Sequence, residues 1–205
     1  MTVLSNQVGL EIEAAQDPLE LFEEWLKTAS QSEINDPNAM SLATATPEGV
    51  PSVRIVLLKR RDARGFSFFT NRESRKGGEL RSNQHAALCF HWKSLQRQIR
   101  VEGTITELDS AEVDEYFRRR NRMSQIGAWA SQQSRPLTSR EELIALTTEY
   151  DKKFPDDVPR PPYWTGFVLK PTRIEFWQER DHRLHDRFVF TPSGEADWAK
   201  QRLFP

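Results

Sequence analysis

The sequence is short of several things, and each shortage removes a class of protein. It has one cysteine in 205 residues, so no disulfide can close within the chain, which fits a reducing compartment. No apolar run reaches membrane-spanning length, so no membrane partner is expected. The opening residues, Met1-Thr2-Val3-Leu4-Ser5-Asn6, lack a basic stretch followed by an apolar one, and a cytoplasmic location is expected. Charge of one sign is also missing. With 29 Lys and Arg against 30 Asp and Glu, the net charge is −1 and there is no global field to draw nucleic acid. Neither a G-x-G-x-x-G fingerprint nor a P-loop occurs, so a nucleotide-like ligand would not sit on a doubly wound sheet. No nucleophile, base and orienting group are grouped for hydrolysis. His182 and His185 are three apart, and on a strand they would face opposite ways, so no metal site is expected.

What remains is ample for one domain with a sizeable core. Hydrophobic residues make up 37 %, charged residues 29 %, and six Trp, three Tyr and twelve Phe offer material for stacking as well as for packing. Residues 1–16 show no clear periodicity and are expected to form a mobile arm; residues 17–205 read as a single domain. Asp17-Pro18 opens a helix, with Asp17 as cap and Leu19, Phe22, Trp25 and Leu26 on one face. Short apolar stretches follow at 40–46, 52–59, 66–70, 86–92 and 97–108, separated by turn residues. Helices are expected at 74–82, 109–120 and 139–154, and strands at 164–178, 183–191 and 198–204. The pattern is mainly β with α: a small closed or split barrel of antiparallel strands with peripheral helices. Cys89, inside the apolar run Ala86–Phe90, reads as inert core.

Five stretches carry possible chemistry. Arg54-Ile55-Val56-Leu57-Leu58-Lys59 is an apolar strand with a cation at each end, suited either to a ligand or to snorkelling at two barrel rims. Ser74-Arg75-Lys76 joins a helix cap to two cations, which is a recipe for binding phosphate and equally for a solvated basic helix start. Tyr116, Arg120, Arg122 and Ser124 form a second polar cluster, since positions four apart share a helical face; an exposed helix end is the plainer reading. Gln125 to Ser134 is polar and aromatic, and Gln133 and Ser134 either contact a ligand or satisfy a loop. Finally, Arg183-Leu184-His185-Asp186-Arg187 leads into the apolar run Phe188-Val189-Phe190. If it is strand, Arg183, His185 and Arg187 share a face, either for an anionic or electron-rich ligand or to blunt a sheet edge.

These motifs, taken together and in order, resemble the pyridoxamine 5′-phosphate oxidase family. The resemblance runs from about Asp17 to Pro205 and rests on Arg54–Lys59, Phe68-Phe-Thr-Asn71, Ser74-Arg-Lys76, Arg97-Gln98 and Ser124-Gln-Ile-Gly-Ala-Trp129. It continues through Gln133-Ser134, Glu175-Phe-Trp-Gln178, Arg183-Leu-His-Asp-Arg187 and Arg202-Leu-Phe-Pro205. It implies an FMN-binding split barrel and a homodimer with FMN at the interface. Arg54, Ile55, Val56, Leu57, Leu58 and Lys59, with Phe69, Thr70, Arg75 and Lys76, would then cradle FMN. Gln98, Gln133, Ser134, Trp177 and Arg187 would add further contacts, several from the partner chain. Lys59, Tyr116, Arg120 and Ser124 would clamp the substrate phosphate. Arg183 and His185 would be the catalytic pair holding the substrate ring against the flavin.

The implied reaction is oxidation of pyridoxamine or pyridoxine 5′-phosphate to pyridoxal 5′-phosphate with dioxygen as acceptor. A related flavin oxidase of the phenazine-biosynthesis type, or a non-catalytic FMN- or haem-binding split barrel, are the alternatives. The chain departs from the family pattern at Phe69, where Tyr is common, and at Asn121, Thr165, Glu179-Arg180 and Phe204; its arm also lacks an Arg-x-x-Tyr pattern.

Overall fold

The computed structural model describes residues 12–194 and 197–205. Most of the expected mobile arm, residues 1–11, lies outside them. Its last residues are docked. Ile12 is buried, and Lys200 Nζ donates to the carbonyls of Ile12, Glu13 and Ala15 at 3.3, 2.6 and 2.9 Å.

The first long helix, α1 (Pro18–Ser32), starts where the sequence places it. Asp17 Oδ1 accepts from the Leu19 backbone N–H at 2.7 Å, and Pro18 occupies the first turn. Its buried side chains, Leu21, Phe22, Trp25 and Ala29, plug one mouth of a curled antiparallel sheet. Phe22 meets Phe66 edge-on at 4.9 Å and Phe90 at 5.1 Å; Trp25 meets Phe176 at 5.2 Å.

Among the described residues nine strands form the sheet: β1 (Ala39–Ala45), β2 (Pro51–Leu57), β3 (Arg60–Asp62), β4 (Gly65–Asn71), β5 (His85–Trp92), β6 (Arg97–Glu107), β7 (Trp164–Gln178), β8 (Asp186–Pro192) and β9 (Trp198–Leu203). Their order is β2-β1-β5-β6-β7-β4-β3, with β8 pairing β7 and β9. The long strand β7 is the spine. One edge pairs with β6 along nearly its whole length. On the other edge, residues 164–169 pair with β4 and residues 174–178 with β8. This switch of partner opens the barrel into two halves. It occurs at a bulge where Pro171 faces Gly103. A Cβ on Gly103 would lie 2.0 Å from the Lys170 carbonyl oxygen, so only glycine permits the close approach.

The remaining helices are α2 (Arg75–Ser82), α3 (Ser110–Arg118), α4 (Arg122–Ala130) and α5 (Arg140–Lys153). Helices α3 and α4 cover a second, smaller core built on Phe117, Ile126, Trp164 and Val168.

Two expectations need correction, and one further element appears. The last hairpin does not begin at Arg183. Residues Asp181–Arg183 form a 3-10 turn in which His182 and Arg183 have φ of 55° and 65°, and strand begins at Asp186. Arg183, His185 and Arg187 therefore do not alternate along one strand face. Residues 122–130, assigned to no element from the sequence, form a helix capped by Asn121 Oδ1, which accepts from the Ser124 N–H at 2.8 Å. The departure at Asn121 thus has a structural use. Arg60–Asp62, expected to lie in a connection, pairs with β4 as a short strand.

Candidate active site

A cavity of about 520 Å³ opens between β2, β4 and the helical layer of α3 and α4. Each wall follows from local structure. Strand β2 alternates, and Arg54 and Val56 turn to the inner side while Val53 and Ile55 are exposed. Helix α2 begins at the cavity because Ser74 Oγ takes the Gly77 N–H at 3.3 Å and donates to the Asn71 carbonyl at 2.6 Å. That cap delivers Lys76 into the cavity. Helix α3 delivers Tyr116, the turn after it Arg120, and the first turn of α4 delivers Ser124.

Among the described residues the lining has four cations, Arg54, Lys59, Lys76 and Arg120, and no carboxylate. Lys76 is buried, and its Nζ donates only to neutral oxygens: Gln133 Oε1 at 2.8 Å, Thr70 Oγ1 at 3.2 Å and Ser74 Oγ at 3.4 Å. Burial, reinforced by the nearby Arg54 charge, lowers its pKa to about 8. Arg120 lies over the Trp164 ring at 5.0 Å, and its Nη1 is buried without a hydrogen-bond partner. Burial works against its charge, and no described carboxylate pairs with it. Phe69, Tyr116 and Trp164 form a parallel stack, with Phe69 and Tyr116 centroids 3.9 Å apart and Phe69 and Trp164 5.2 Å apart. Unpaired buried cations in an acid-free cavity are costly in an empty molecule and favourable once anions arrive.

The structure therefore brings Lys59, Tyr116, Arg120 and Ser124 to one cavity with Arg54, Ile55, Val56 and Leu57, and with Phe69, Thr70, Lys76 and Gln133. Other expected residues are elsewhere. Leu58 is buried in the main core, and both its backbone groups bond to Asn38. Arg75 stands beside the cavity, paired to Glu79 Oε1 at 2.8 Å. Ser134 follows Gln133 with φ of 73°. Gln98, Trp177, Arg183, His185 and Arg187 cluster at the far end of β7. Gln98 pairs in register with Trp177, and Trp177 with Arg187. Arg187 forks onto Glu175 Oε1 at 2.8 and 3.0 Å. His185 packs on the Trp177 ring, 4.7 Å between centroids, and its Nδ1 accepts from the Arg180 backbone N–H at 3.1 Å. A neutral His185 therefore carries its proton on Nε2.

Sequence reasoning missed Trp164, Asn71 and Ser131 as walls of the cavity. An aromatic residue at a strand start reads as core, and nothing local separates the two roles. Among the described residues no group of three or more His, Cys, Asp or Glu is placed to hold a metal, and no helix is long and apolar enough to cross a membrane.

A curled split barrel whose described cavity lining has four cations and no carboxylate defines a class of fold suited to hold small anionic ligands. Comparison with known proteins narrows the class. Residues 26–178 match the family model described as pyridoxamine 5′-phosphate oxidase, and residues 164–205 match that of the pyridoxine 5′-phosphate oxidase C-terminal dimerisation region. The chain belongs to the pyridoxamine 5′-phosphate oxidase family, and the second match supports homodimer formation.

Relatives named pyridoxine/pyridoxamine 5′-phosphate oxidase from Brucella canis and Brucella abortus are 56 % identical over 191 residues, covering 92 % of this chain and 94 % of theirs. Among solved structures, PhzG from Burkholderia lata, in complex with tetrahydrophenazine-1-carboxylic acid, superposes with a TM-score of 0.88. It is 33 % identical, covering 95 % of this chain and 96 % of that one. A pyridoxamine 5′-phosphate oxidase-related, FMN binding protein from Nostoc punctiforme shares the fold, with a TM-score of 0.74 at 14 % identity over 93 % of this chain and all of that one.

Proposed function

We propose that this chain oxidises pyridoxamine 5′-phosphate and pyridoxine 5′-phosphate to pyridoxal 5′-phosphate, using FMN and dioxygen in a homodimer with FMN at the interface. The observation that carries this reading is the cavity whose described lining has no carboxylate, with buried Lys76 and with half-buried Arg120, whose Nη1 has no hydrogen-bond partner. Two phosphate monoesters, each bearing about −1.5 to −2 charges at neutral pH, balance four cations. A substrate with a lone carboxylate, such as the ligand of the Burkholderia structure, balances fewer, which favours a phosphorylated substrate over a phenazine type.

FMN would supply the redox chemistry, a two-electron oxidation at the substrate C4′ carbon with dioxygen as final acceptor and hydrogen peroxide as its product; with the amine substrate, water would then hydrolyse the imine and release ammonia. The chain's own residues bind and orient. Arg54, Arg75 and Lys76 hold the cofactor phosphate; Lys59, Tyr116, Arg120 and Ser124 hold that of the substrate. Binding energy gained at the phosphate, remote from C4′, is available for positioning. Gln98, Trp177 and Arg187 reach FMN from the partner chain, where Arg183 and His185 face the substrate ring and Nε2–H of His185 is free to donate.

The test is anaerobic. Pyridoxine 5′-phosphate added to the flavin-loaded protein is expected to bleach the oxidised flavin band, and air to restore it. A band unchanged by both the alcohol and the amine phosphate overturns the reading.

Lys76 adds a pH dependence. Its free-state pKa of about 8 means that it loses its proton as pH rises through 8, whereas a bound phosphate favours the charged form. FMN affinity is expected to fall above pH 8, and Lys76→Met to flatten that limb. An unchanged limb in the variant, measured by flavin fluorescence titration, assigns it to another group.

A further inference from the structure

Behind the cofactor end of the cavity, on the first two turns of α2, lies a carboxylate that does not line it. Glu79 is 6 % exposed. Its Oε2 accepts from Thr44 Oγ1 at 2.5 Å and from Ser52 Oγ at 2.6 Å, and its Oε1 pairs with Arg75 at 2.8 Å. Arg54 closes the network. Its Nη1 donates to Thr44 Oγ1 at 2.5 Å, its Nη2 donates to Ser52 Oγ, and Nη2 lies 3.4 Å from Glu79 Oε2.

The directions of these bonds are forced. A guanidinium can only donate, so both hydroxyls accept from Arg54 and spend their own protons on Glu79. An ionised carboxylate can only accept, which completes the ring without conflict. Hydroxyl hydrogen bonds to Thr44 and Ser52, with the Arg75 ion pair, outweigh the cost of burial and keep Glu79 ionised. The two hydroxyls come from paired strands, with Thr44 on β1 in register with Ser52 on β2. Sheet, helix and arginine are thereby fixed to one another.

We propose that Glu79 is the positioning residue of the cofactor phosphate site: through Thr44 and Ser52 it aims the Arg54 guanidinium, and by direct pairing it holds Arg75. It also sets the charge. Arg54, Arg75 and Lys76 bring three positive charges, and Glu79 removes one, which leaves an excess that matches a phosphomonoester dianion. The proposal rests on the reading of this end of the cavity as the FMN phosphate site.

The experiment compares FMN with riboflavin, which lacks the phosphate. Both are titrated into flavin-free full-length protein, wild type and Glu79→Gln, and followed by flavin fluorescence quenching. The amide turns an N–H toward donors that need an acceptor, so Arg54 loses its fixed aim. Glu79→Gln is expected to weaken FMN binding by about 10- to 100-fold, the range of one charge-assisted bond, and to leave riboflavin binding within about threefold. A defect that is merely structural weakens both flavins alike, and that result overturns the proposal; so does an unchanged FMN preference.

If Glu79→Gln fails to fold, Ser52→Ala removes one leg of the ring at a half-buried site. It is expected to weaken FMN binding by about fivefold with riboflavin unchanged, at the size of a single hydroxyl bond. No FMN-selective loss there overturns the proposal as well. A wild type that binds FMN no better than riboflavin refutes the phosphate-site reading itself, and the role of Glu79 falls with it. That failure appears before any variant is made.

Discussion

Replacing Arg120 with methionine is expected to lower kcat/KM for pyridoxine 5′-phosphate by about 100- to 1,000-fold while FMN content stays at the wild-type level. The magnitude is that of losing one or two charge-assisted bonds to phosphate, about 1.5–3 kcal/mol each. Arg120 Nη1 is buried and unpartnered, the guanidinium rests on Trp164 at 5.0 Å, and no described carboxylate pairs with it, so an anion in the cavity would find the charge available. Methionine keeps the stem packing against the same ring, and the chain should fold. If the phosphate only anchors, KM alone rises; if its binding energy also positions C4′, kcat falls too. Steady-state kinetics unchanged in the variant would remove Arg120 from the clamp. Flavin content, read from the visible spectrum of the purified variant, separates the substrate end from the cofactor end.

Phe22→Ala should be the most damaging single change in the core, at about 3–5 kcal/mol. Phe22 is fully buried and touches Phe66, Phe90 and Trp92, which lie on β4 and β5. It is the plug by which α1 closes the mouth of the sheet, and no neighbouring chain segment can collapse into the hole it leaves between two strands. For a chain of 205 residues the expected fall in Tm is roughly 10 °C, at about 2–4 °C per kcal/mol. A fall of under about 3 °C in thermal unfolding of the flavin-free protein would show that α1 is dispensable to the barrel.

Elements with strong caps and clean periodicity were legible in the sequence. Asp17 and Ser74 marked the starts of α1 and α2, and the apolar run from Trp164 to Gln178 marked β7 at both ends. Where a local signal was ambiguous, reading failed. Arg183 to Arg187 continues the alternation of β8 on paper, but His182 and Arg183 adopt left-handed backbone without the glycine that usually announces it. Helix α4 lacks a continuous apolar face, since Gln125 and Gly127 interrupt it, and only the Asn121 cap betrays its start.

The candidate site was legible as separate clusters, and what the sequence could not show is that Arg54, Lys76, Tyr116 and Arg120 meet. That convergence depends on β2, α2 and α3 packing around the strand pair of β4 and β7. Glu79 was invisible for a different reason: a glutamate inside a short polar helix reads as solvated, and its burial comes from Thr44 and Ser52 on distant strands.

Trp164 stands at the head of β7, where it walls the cavity and is also the first residue matched to the dimerisation region. Strand β7 thus holds both a wall of the cavity and the first residues of the matched dimerisation region. On the proposed dimer, an occupant of the cavity and the partner chain would each steady β7 for the other by mass action, so dilution and loss of ligand are expected to destabilise the protein alike.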